Sequence, residues 1–185
     1  TAIYEGADAV MLSAESAAGA YPIDAVKTMD NVATEVEMDP TYTQIIESSR
    51  TADRMTVADG IVAAAREIAE TTNIKAICCF TQSGTTGLLI ARERPRVPII
   101  ALTPLVKTAR RLALSWGTNC IITDRLDRFK MAVVSAARAA REEGYAGPED
   151  LIVVIAGVPF NVEGSTNILR VAPCDERLIF NTDPE

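Results

Sequence analysis

Four apolar runs set the terms on which this chain folds. "IKAICCF" (74–80) and "LIVVIA" (151–156) carry apolar side chains on both alternating faces, Lys75 apart. A strand of that kind has no side to show to water, so both of its faces must be covered. "VPIIALT" (97–103) and "NCIIT" (119–123) are nearly as apolar. Helical spacing fills the gaps between them: Gly84–Arg92 stopped by Pro95, then Val106–Ser115, then Leu126, Phe129, Val133, Ala137 and Ala140 ahead of Gly144. A fifth strand is expected over Ile168–Ala172 after a long loop. Strands alternating with helices build βαβ units. The predicted fold class is α/β, a three-layer domain with a mainly parallel, five-stranded sheet.

The N-terminal part reads differently. "ADAVML" (7–12) is a short apolar run expected to be a buried strand, and Ser13–Tyr21 is a turn-rich loop. Pro22 sits where a first helical turn accepts it, and Ile23, Val26, Met29, Val32 and Val36 recur at helical spacing. This strand–loop–helix unit takes residues 1–37. Residues 38–55 are polar and irregular, with Pro40 as a break, and are expected to connect it to a domain over 56–185. That domain opens on Thr56-Val57-Ala58-Asp59, a capping-box pattern ahead of Ile61, Ala65, Ile68 and Ala69.

At 185 residues and 48% hydrophobic composition the chain can bury one full core. Its net charge is −7, and Lys and Arg are scattered among Asp and Glu rather than clustered. Nucleic-acid and anionic-membrane surfaces need clustered bases, so neither partner is expected. No run reaches the roughly 18 apolar residues of a membrane span, and no basic-then-apolar leader opens the chain. Its first segment reads as the end of a helix, so it looks like a piece of something longer. Cys78, Cys79, Cys120 and Cys174 lie in or beside strand-like runs with no C-x-x-C pair. They read as reduced, buried thiols of a cytoplasmic protein. The absence of histidine excludes Cys/His zinc sites and His-based triads, and no metal site is expected.

Two stretches carry chemistry. "TQSGTT", Thr81-Gln82-Ser83-Gly84-Thr85-Thr86, stands between a strand and a helix, where open α/β sheets bind ligands. Gly84 permits close backbone approach. The hydroxyls of Ser83, Thr85 and Thr86 join the free amides of the first turn in an arrangement suited to phosphate. It is no Walker loop, because no Gly-Lys-Ser/Thr follows. The competing reading is that Ser83 only caps the helix, a matter of about 1 kcal/mol. A helix N-terminus gives an anion about 0.3–2 kcal/mol, whereas micromolar binding needs about −8 kcal/mol. A second element must therefore close over the turn, and "GVPFNVEGSTN" (157–167) is the candidate lid. The other stretch is "MLSAES" (11–16). Its Ser13 and Glu15 would project near the carboxyl end of the early strand, where a hydroxyl beside a carboxylate can orient water or relay a proton.

Read together, these stretches resemble pyruvate kinase. "EGADAVMLSAESAAGAYPIDAV" (5–26) looks like the last strand–loop–helix of that family's (β/α)8 barrel, with Ala14 for the usual Gly and Ser16 for the usual Thr. "CCFTQSGTTGLLIARERPRVPIIALT", "ARRLALSWGTNCII" and "GSTNILRV" resemble its C-terminal domain in order and distance. The resemblance implies a partial barrel unit followed by a regulatory α/β domain. The parent enzyme would move phosphate from phosphoenolpyruvate to ADP in glycolysis, with Mg2+ and K+ held by residues outside this chain. It would be an allosteric, cytoplasmic homotetramer, one of whose subunit interfaces this domain supplies. Ser13 and Glu15 match rim residues of the active site. Thr81, Gln82, Ser83, Gly84, Thr85, Thr86 and Gly164 match an effector loop and its lid. Members that answer to fructose 1,6-bisphosphate present an arginine where Ala132 stands here, near Arg128 and Lys130, and the lid carries Glu163. AMP, a sugar monophosphate or no effector at all are the alternatives this leaves. A stand-alone phosphometabolite-binding module and a purely structural interaction domain are the rival readings.

Overall fold

The computed structural model describes residues 1–49, 56–160, 162 and 164–181. Two compact units make up the chain, Thr1–Asp53 and Arg54–Glu185.

The first unit is helical: α1 Ala14–Ala17, α2 Pro22–Met38 and α3 Pro40–Ser49. The strand expected over 7–12 is absent, and Met11 is 85% exposed. A strand is completed by its neighbours' hydrogen bonds, and among the described residues no strand in this unit offers them. Helix α2 does begin at Pro22, whose missing N–H costs nothing in a first turn. Its apolar stripe is uncovered, with Ile23 at 69% and Val26 and Val32 at 53% exposure. Pro40 opens a helix instead of interrupting one, so the first half of the expected irregular connection is α3; residues 50–55 lie outside the described residues. The Asp39 carboxylate accepts from the Thr41 amide at 2.8 Å and anchors that start. Tyr42 and Ile46 turn inward, and Tyr4 donates its hydroxyl to Asp39 at 2.6 Å.

The second unit runs α4 Val57–Thr71, β1 Ile74–Phe80, α5 Thr85–Glu93, β2 Ile99–Thr103, α6 Val106–Leu112, β3 Thr118–Ile122, α7 Phe129–Glu142, β4 Leu151–Gly157, β5 Thr166–Pro173 and α8 Glu176–Asn181. Strand order is β3-β2-β1-β4-β5. The first four strands are parallel and β5 returns antiparallel to β4, giving the mainly parallel five-stranded sheet. The apolar runs explain this placement. In β1, Ala76 and Cys78 face a core shared with Val133, Ala137 and Ile179 of α7 and α8. Ile77 and Cys79 face a second core with Val62, Ile90 and Leu112 of α4, α5 and α6. Two layers of helix thus cover a sheet whose central strands are apolar on both sides.

At the start of α4 the Thr56 hydroxyl accepts from the Asp59 amide at 3.1 Å, and the Asp59 carboxylate accepts from the Thr56 amide at 3.2 Å. Both arms of the capping box are in place. Strand β5 begins at Thr166, earlier than expected, which shortens the connection from β4. Asn167 closes its base, accepting from the Val158 amide at 2.9 Å and donating to the Val158 carbonyl at 2.6 Å. Six-residue α8 carries too little periodicity to be read from sequence, although its Ile179 is fully buried.

Candidate functional site

Strand order reverses between β1 and β4, where two neighbouring parallel strands send their connections in opposite directions. Such a switch point leaves a crevice at the strands' carboxyl ends. A hollow of about 720 Å³, partly open to solvent, lies there in the second unit. The turn after β1 forms one wall, through Thr81, Gln82, Ser83, Thr85 and Thr86. Phe160, Val162, Gly164, Ser165 and Thr166 of the β4–β5 connection form the facing wall. Gly84 belongs to the same turn. The effector-loop residues and Gly164 predicted from sequence are therefore brought together, while Ser13 and Glu15 belong to the other unit.

The local chemistry of the turn departs from expectation in two ways. Its helix is capped by Gly84, not Ser83, and Gly84 adopts φ +89°, which an L side chain resists. A Cβ at Gly84 would also come within 2.7 Å of an Arg111 guanidinium nitrogen. Helix α6 braces the turn from behind, where Thr108 donates its hydroxyl to the Gln82 carbonyl at 2.6 Å. The first-turn amides are also not all bare. The Gly84 amide donates to Thr81 Oγ1 at 2.9 Å, and the Thr85 amide stands 3.5 Å from Ser83 Oγ. The first is firmly taken; the second is at the limit of a hydrogen bond and yields easily to a better acceptor. The amides of Thr86 and Gly87 have no acceptor among the described residues.

Opposite these amides, a Cβ at Gly157 would overlap Ser165 Oγ, so only glycine lets the connection close this tightly over β4. Ser165 donates its hydroxyl to the Val162 carbonyl at 2.7 Å. Asn161 and Glu163 lie outside the described residues. Residues after β3 complete the rim, Thr123, Asp124, Arg125 and Leu126. The sequence reading missed these, although the rule that ligands sit beyond strand ends applies to β3 as it does to β1. Ala132 is fully buried in α7. The described lining thus holds one acid and one base among hydroxyls and apolar groups, suited to an oxyanion at α5 and a polyol or flat ring beyond it.

Ser13 precedes α1 and Glu15 lies in its first turn, not at a strand end. The Glu15 carboxylate accepts from the Ser13 amide at 3.0 Å. Backbone amides, its own first and then that of Ser13, hold its pKa below the usual range. Among the described residues no group of three or more His, Cys, Asp or Glu fits a metal ion. Burial pushes the Cys79 thiol up to about 12 and the Cys174 thiol to about 11, so both are neutral and unreactive at pH 7. No described helix is long and apolar enough to cross a membrane.

Fold and hollow together define an open three-layer α/β domain with its crevice at the switch point. The family model for the pyruvate kinase alpha/beta domain matches residues 59–172. The chain belongs to the pyruvate kinase family. It is 47% identical over 173 residues to a pyruvate kinase of Methylorubrum extorquens, covering 93% of this chain and 36% of that one. A pyruvate kinase of Agrobacterium vitis is 43% identical over 170 residues, covering 92% and 36%. Among solved structures, Cryptosporidium parvum pyruvate kinase in complex with ADP superposes with a TM-score of 0.78 at 32% identity, covering 94% of this chain and 35% of that one. The chain spans about a third of the length of the curated relatives it matches.

Proposed function

We propose that the chain is the C-terminal portion of a pyruvate kinase, inactive alone, whose α/β domain binds a small phosphorylated effector and supplies a subunit interface of a homotetramer. The whole enzyme would transfer phosphate from phosphoenolpyruvate to ADP in the cytoplasm, giving pyruvate and ATP. Its Mg2+ and K+ would be held by residues outside this chain. Ser13 and Glu15 would contribute at the rim of that active site.

The observation carrying the effector reading is the hollow at the switch point, walled by the Thr81–Thr86 turn and the β4–β5 connection. It lies at the switch point of an α/β sheet, a preferred place for small-molecule sites. An oxyanion would take the amides of Thr86 and Gly87 and displace Ser83 from that of Thr85. The rest of an AMP or sugar monophosphate would lie toward Phe160, Asp124 and Arg125. Fructose 1,6-bisphosphate fits less well, because the second phosphate would meet Asp124 and a single arginine.

Calorimetry of the chain against AMP and glucose 6-phosphate tests this, alongside a coupled assay with phosphoenolpyruvate and ADP. Expected are saturable binding of at least one monophosphate and no turnover. Absence of heat at millimolar concentrations of either would favour the structural interaction domain. Turnover by the chain itself would overturn its inactivity.

A further inference from the structure

We draw no further inference here: the strongest candidate, the groove at the amino ends of β2 and β3 lined by Arg96, Ser115, Trp116 and Tyr145, carries nothing, because the unpartnered Ser115 hydroxyl is sealed from solvent and nothing else among the described residues points to what would occupy the groove.

Discussion

Gly84 is where a single residue decides the site. Its φ of +89° is the conformation that turns the chain from β1 into α5, and Arg111 occupies the space a Cβ would need. Gly84→Ala is expected to lower stability by about 1–2 kcal/mol from backbone strain, with the flexible Arg111 end moving aside at little cost. Urea denaturation measures it, and a variant as stable as the parent would refute the strain. The sequence flagged Gly84 as the point of close approach but assigned the cap to Ser83. Capping by Ser needs extended backbone at the cap position, and here a left-handed residue takes it. Local sequence offers both solutions, and the packing of α6 against the turn selects between them through Thr108 and Leu112.

Among elements, α4 shows a start signal that sequence and structure share. Thr56 and Asp59 form the capping box, and Arg92 of α5 adds an ion pair to Asp59 at 2.6 Å. The Thr56 side chain first, then Arg92, hold the Asp59 carboxyl below its ordinary 3.8. A depressed carboxyl stabilises the fold above its unfolded pKa, and that stability is lost as pH falls through the folded value. Asp59→Asn is therefore expected to be less stable than the parent at pH 7, with the difference shrinking below about pH 4. Urea midpoints at pH 7, 5 and 3 check the trend, and a gap that persists unchanged at pH 3 would contradict it. Element α3 teaches the opposite lesson. Pro40 reads as a break in a polar stretch, yet proline interrupts a helix interior and not its first turn. Nothing in the local composition distinguishes the two until Asp39 and Tyr42 take their partners.

For the whole molecule, the two units are unlike in how they meet water. The second has cores on both faces of its sheet. The first leaves Met11, Tyr21, Ile23, Val26 and Val32 exposed along one segment. Residues 56–185 alone are expected to unfold cooperatively, within a few degrees of the longer chain's midpoint. They should also bind far less of a hydrophobic dye such as ANS, since exposed apolar patches recruit it. Calorimetry and dye fluorescence read both, and failure of 56–185 to fold would show that its two cores are not self-sufficient.

Sequence by itself determined the fold class, because strands apolar on both faces leave no stable alternative to a sheet covered by helices. It also determined which turn faces the strand ends, since strand–turn–helix order is local. Tertiary structure alone decided that residues 7–12 form no strand, since strand status depends on a neighbour's hydrogen bonds. It decided as well which first-turn amides remain available, and that Thr166 meets Thr86 across 80 positions of chain. Those are matters of long-range registration, fixed when β5 pairs with β4, and no window of sequence contains them.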